Sequence, residues 1–184
     1  ARLDAGRELR REEVDLVGLL VDTVADARAA GPDHDWQLDL AVLEPPADAT
    51  PEEAEDFLPE PPLVIGDEAR LRQVVVNLLA NARVHTPAGS HVTTTLAREG
   101  DTLIVRIHDD GPGIAPEVRD RLFERFARGD SSRERRTGST GLGMSIALAI
   151  VQSHGGSIDV DSSTAPEDHG TTFSVRLPAA VVEE

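Results

Sequence analysis

Three short constellations in this 184-residue chain carry side chains whose types and spacing suit chemistry. Gln73, Asn77 and Asn81 recur four apart, beside the apolar series Leu71, Val74, Val75, Leu78, Leu79 and Ala82. On a helix they line one face, about 130° round from the centre of the apolar stripe. Amides have poor propensity in mid-helix, so these either serve something other than the helix or form a plain polar surface. Asp109 closes the run Leu103, Val105, Ile107, and strand alternation puts it on their face. A carboxylate turned inward is costly unless hydrogen-bonded, and the exocyclic amine of a purine would be a suitable donor. Asp109-Asp110-Gly111-Pro112-Gly113 also reads as an ordinary turn. Gly138-Ser139-Thr140-Gly141-Leu142-Gly143 precedes an apolar helical run, so small residues and the positive end of a helix dipole could receive phosphates. It is not a P-loop, since the chain has no lysine, and it does not follow a strand as a dinucleotide fingerprint would.

The elements that must position these groups follow from periodicity. Val14, Val17, Leu20, Val21 and Val24 predict a first amphipathic helix, and Trp36 to Leu43 alternates as a strand. Glu44 to Pro62 holds six prolines and seven acids without one base, and reads as a solvated excursion. Within it Thr50, Pro51 and Glu53 predict a capping box on a short helix. Leu63 to Ile65 is a short strand, the amide-bearing helix follows, and His91 to Ala97 with Leu103 to His108 form a hairpin. A third helix over Leu142 to Ser153 is stopped by Gly155-Gly156. Ser157 to Val160 and Thr172 to Leu177 are closing strands. The pattern is an α/β two-layer sandwich, a mixed sheet covered on one face by helices.

Composition narrows the partners. The length and 39% hydrophobic content suit one domain with a sizeable core. No run of eighteen apolar residues exists and the start is charged, so this piece is expected to be soluble and not membrane-embedded. The absence of cysteine removes disulfides and thiolate metal sites and suits a reducing compartment. A formal charge of −16 opposes nucleic-acid binding. Against it, Arg119, Arg121, Arg125, Arg128, Arg133, Arg135 and Arg136 form a local positive island, which suits a small polyanion or is simply a solvated charged segment.

Taken in order, these segments resemble one family. Asp67 to Ala82 resembles the N box of bacterial sensor histidine kinases, continued by His85-Thr86-Pro87; Asp109-Asp110-Gly111-Pro112-Gly113-Ile114 is similar to the first glycine box. Leu122-Phe123-Glu124-Arg125-Phe126 resembles the phenylalanine box and Gly141-Leu142-Gly143-Met144 the second glycine box. His154-Gly155-Gly156 and Gly170-Thr171-Thr172-Phe173 supply closing signatures, so the likeness runs from about Leu63 to Pro178.

The resemblance implies the Bergerat ATP-binding fold of the GHKL superfamily, with a flexible ATP lid. It implies that Asp109 accepts from the adenine amino group, that Asn77 holds Mg²⁺ bridging the phosphates, and that Asn81 and His85 line the same site. Gly111, Gly113 and Ile114 would shape the adenine pocket, joined by Thr171. Thr140, Gly141, Leu142 and Gly143 would meet the phosphates, with Arg128 of the lid as their partner. Where many members have a lysine this chain has Val84, so that phosphate contact is either missing or supplied by the adjacent Arg83, although neighbours on a helix point about 100° apart. Gln73 stands where hydrolases of this superfamily carry a glutamate base, which favours transfer over hydrolysis.

The expected reaction is ATP-dependent phosphorylation of a histidine on a separate dimerisation domain, followed by transfer to a response regulator. None of His34, His85, His91, His108, His154 and His169 has the setting of an acceptor. Residues 1–11 are read as the tail of a phosphoacceptor hairpin or linker and 12–184 as the catalytic domain, a cytoplasmic part of a membrane-anchored parent. The alternatives are a non-catalytic nucleotide-binding interaction module and a serine kinase of the anti-sigma-factor type.

Overall fold

Asp15 divides what the valine spacing joined. Glu12–Asp15 is a strand, β1, and Leu16–Ala30 is a helix, α1, whose first amides at Val17 and Gly18 are held by the Asp15 carboxylate. Val14 therefore belongs to β1, where it pairs with Val64 and is buried, while Val21 of α1 faces solvent at 48% exposure. The buried stripe of α1 is Leu16, Leu19, Leu20, Thr23 and Val24. These features come from a computed structural model that describes residues 10–46, 48–124 and 142–181.

The remaining elements are β2 (Asp35–Asp39), a 3₁₀ turn (Ala41–Leu43), α2 (Pro51–Glu55), β3 (Leu63–Gly66), α3 (Glu68–His85), β4 (His91–Glu99), β5 (Thr102–Asp109), α4 (Pro116–Arg119), α5 (Gly143–Ser153), β6 (Ser157–Ala165) and β7 (Asp168–Pro178). The strand expected to reach Leu43 stops at Asp39, because Val42 turns into the core through the 3₁₀ turn. The Thr50–Glu53 capping box forms reciprocally on α2, and that acidic excursion is tied down where Arg98 meets Glu60 at 2.9 Å and the Pro61 carbonyl at 3.1 Å.

Five strands make one mixed sheet in the order β2-β4-β5-β7-β6, with β2 parallel to β4 and the other pairs antiparallel. β1 and β3 form a separate two-stranded antiparallel sheet. Helices α1, α3 and α5 cover one face of the large sheet, and their apolar stripes meet Val92, Leu96, Leu103, Val105, Ile107, Phe173, Val175 and Leu177 in one core. This is the α/β two-layer arrangement expected. Among the described residues no helix is long and apolar enough to cross a membrane.

α3 and α5 run antiparallel with a bond at each end. At one end Asn77 Nδ2 donates to the Gly143 carbonyl at 3.2 Å. At the other, the Asp67 amide donates to His154 Nε2 at 3.0 Å while His154 Nδ1 donates to the Ile150 carbonyl at 2.8 Å. Gly66 is required there, since a Cβ would overlap the His154 ring. α5 ends in a Schellman cap, with Gly156 N–H on the Val151 carbonyl, Gly155 N–H on Gln152, and Gly155 at φ +73°.

Candidate nucleotide site

β5 delivers Asp109 to the helix-covered face at the end of Leu103, Val105 and Ile107, as the alternation requires, and leaves it 5% exposed. Burial raises its pKa above the ordinary carboxylate value, and the Gly111 N–H, donating to Oδ1 at 3.0 Å, offsets part of that rise. Among the described residues the second carboxylate oxygen has no hydrogen-bond partner, which suits it to an exocyclic amine. His85, exposed at the last turn of α3, is near enough to favour the ionised form.

The antiparallel register sets Thr171 of β7 directly beside Asp109, and Ser162 of β6 beside Thr171. Partners in such a ladder share a face, so the three side chains form one row across β5, β7 and β6. Thr171 is 4% exposed. Ser162 was not among the residues expected from sequence, yet its hydroxyl accepts the Ile114 N–H at 2.8 Å.

The loop after Asp109 is held on every side. Thr86 Oγ1 donates to the Ala82 carbonyl at 2.7 Å, which turns its methyl toward Gly111, where a Cβ would approach it to 2.5 Å. His169 Nδ1 donates to the Gly111 carbonyl at 2.8 Å. Gly113 has φ +77° and any Cβ there would overlap the Ser163 carbonyl oxygen. Gly113→Ala therefore forces both a disfavoured backbone and a steric displacement. It is expected to lower stability by about 2–4 kcal/mol, read as a shift of the urea midpoint at constant slope.

Asn77 and Asn81 are half-buried on α3, and Asn77 reaches the start of α5. Its Nδ2 is used on Gly143, which leaves Oδ1 for a cation. The α5 N-cap, Leu142, makes no side-chain cap bond, so its side chain leaves the first amides of the helix to other acceptors. Among the described residues no cluster of three His, Cys, Asp or Glu is placed to hold a metal alone. A site with one amide oxygen and a helix N-terminus fits Mg²⁺ that arrives with phosphate oxygens rather than a protein cage.

The structure joins Asn77 to Gly143 of α5, with Asn81 one turn further along α3, and it joins Asp109 to Gly111 and Thr171, with Ile114 tied to Thr171 through Ser162, Gly113 against Ser163, and His85 near Asp109. It does not bring Arg83 to them. Arg83 is exposed and its stem lies over Gly31, where a Cβ would come within 2.7 Å of its Cδ, on a different face of α3 from Asn77. Arg128, Thr140 and Gly141, with the lid and the Arg125-Phe126 half of the phenylalanine box, lie outside the described residues. The other half, Leu122 and Phe123, packs against the core.

A two-layer mixed sheet with a buried aspartate at one strand end and asparagines along a covering helix agrees with the ATP-binding catalytic domain that comparison with known proteins shows. The chain belongs to the histidine kinase-, DNA gyrase B- and HSP90-like ATPase family, whose family model matches residues 66–181. It is similar to the probable sensor histidine kinase TcrY of Mycobacterium tuberculosis, 49% identical over 97% of this chain, and to the sensor histidine kinase TrcS of the same organism, 39% identical over 97%. The chain spans about a third of those relatives, 33% and 32% of their lengths. Among solved structures, the mycobacterial sensor histidine kinase MprB superposes with a TM-score of 0.73 at 29% identity, covering 91% of this chain and 98% of that one. Full-length ShkA in complex with AMPPNP gives 0.73 at 27% identity, covering 98% of this chain and 33% of its own.

Proposed function

We propose that this domain, taken as residues 12–184, binds MgATP and donates the γ-phosphoryl group to a histidine on a separate dimerisation domain. That histidine then passes the group to a response-regulator aspartate, within a parent kinase anchored in the membrane. The observation that carries the reading is Asp109, buried on β5 with one oxygen committed to Gly111 and the other available to the adenine amine. The AMPPNP complex of ShkA, a structural neighbour, supports an adenine nucleotide as the ligand.

Asn81 and His85 line the base and sugar side, while Gly111, Gly113 and Ile114 shape the pocket wall. Asn77, through Oδ1, would hold Mg²⁺, with Leu142 and Gly143 supplying helix-terminal amides to phosphate oxygens. Bound Mg²⁺ would neutralise charge on those oxygens and hold them for in-line displacement. Arg128, Thr140 and Gly141 belong to this reading as further phosphate contacts. In transfer, the bond from the γ-phosphorus to the ADP oxygen breaks as a bond to the acceptor imidazole nitrogen forms. Gln73 has no basicity to activate water in competition, which favours transfer over hydrolysis.

The test supplies the domain with a separately expressed dimerisation hairpin carrying an acceptor histidine. Label from γ-³²P-ATP is expected on that histidine, acid-labile and alkali-stable, with none from α-³²P-ATP. ATP binding without any label on the hairpin would overturn the kinase reading and favour an interaction module.

A further inference from the structure

Ser162 is outside every motif, yet its hydroxyl has three partners. It meets the Ile114 N–H at 2.8 Å, the Gly170 carbonyl at 2.8 Å and Thr171 Oγ1 at 2.9 Å. A hydroxyl has one proton and two lone pairs. The Ile114 amide can only donate, so it occupies one lone pair. The Gly170 carbonyl can only accept, so it takes the proton. One lone pair is left for Thr171, which must therefore spend its own proton on Ser162.

The consequence falls on the adjacent strand. Thr171 stands beside Asp109 in the β5–β7 register, and with its proton turned toward β6 it offers only lone pairs to the pocket. Asp109, ionised, also offers only lone pairs there. Both groups then accept. A 6-amino purine turns two N–H donors of its 6-substituent toward two acceptors; a 6-oxo purine sets O6 lone pairs against them and keeps only its N1–H to donate.

We propose that Ser162 is a positioning residue for base selection: by fixing the direction of the Thr171 hydroxyl it makes the pocket floor reject 6-oxo purines. The inference rests on the adenine-nucleotide reading above. The same serine holds Ile114, so loss of its side chain also loosens the loop after Asp109. A merely structural role would weaken all nucleotides alike. A directional role changes their ratio.

The experiment measures, by calorimetry on this chain, affinities for ATP and for inosine triphosphate, which carries an oxo group in place of the 6-amine and a proton on N1. The parent is expected to prefer ATP. Ser162→Ala frees Thr171 to turn its proton inward, and the ATP-to-ITP affinity ratio is expected to fall about tenfold. Ser162→Thr keeps the hydroxyl and should retain the parental ratio. Ser162→Cys, which keeps the volume but bonds weakly, gives the same readout if the alanine variant folds poorly. Equal weakening of both nucleotides in Ser162→Ala or Ser162→Cys overturns the role of Ser162 alone. A folded parent that binds neither overturns the nucleotide reading itself.

Discussion

Asp109→Asn is expected to reduce adenine-nucleotide affinity by about 100-fold or more while leaving the fold intact. The amide can keep one oxygen on the Gly111 N–H, which in the parent lies 3.0 Å from Oδ1. Its other atom is then an NH₂ group, facing the donor that the carboxylate accepted. A hydrogen bond to a charged partner is lost and a donor meets a donor, together worth about 3 kcal/mol. Stability moves the other way. Because burial raises the Asp109 pKa, folding favours the neutral acid, and stability declines as pH rises through the folded-state pKa and the group ionises. Asparagine carries no such cost, so the variant should be at least as stable as the parent near neutral pH, with the advantage shrinking on acidification. Binding has the opposite sign in the parent: affinity should decline as pH falls through the raised pKa, since the protonated acid no longer offers two acceptors. Calorimetry across pH and thermal unfolding check both halves. Unchanged affinity in the variant would remove Asp109 from the base-binding role.

Asn77→Ala should act on the other half of the nucleotide. The expected outcome is loss of the Mg²⁺ dependence of ATP affinity and a fall in phosphoryl transfer of at least about 100-fold, the scale on which preorganised charge stabilisation is lost. The variant also loses the bond to the Gly143 carbonyl, so a stability decrease of about 1 kcal/mol accompanies it. The two effects separate with chelator: EDTA should weaken ATP binding by the parent and leave Asn77→Ala unchanged. Retained Mg²⁺ dependence in the variant would move the metal elsewhere.

What could be read in the sequence was what a few neighbouring residues decide. The inward turn of Asp109 follows from four alternating positions, the Thr50–Glu53 box from four residues, and the end of α5 from two glycines. Val14 and Val17 satisfy helical spacing and so merge β1 with α1 in the sequence pattern; the signal against it is Asp15, an N-cap residue lying between them. Ser162 had no local signature. It lies among Asp161, Ser163 and Thr164 in a stretch of β6 beyond the expected strand, and its partners are fixed by the register of β6 against β7. Adjacency to Val84 makes Arg83 one candidate for the phosphates, but the fold lays its stem over Gly31, as the 100° turn between helical neighbours allows.

The bonds at the two ends of the α3–α5 pair also limit how these helices can evolve in length. Asp67 to Asn77 is ten helical steps along α3 and its cap, and Gly143 to His154 is eleven along α5 and its cap, about 15 and 16.5 Å at about 1.5 Å per step. Inserting one residue into either helix would rotate one bonded group by about 100° relative to its partner. An insertion in 44–62 carries no such rotation, since that stretch is attached through Arg98 and leaves the helical pair undisturbed.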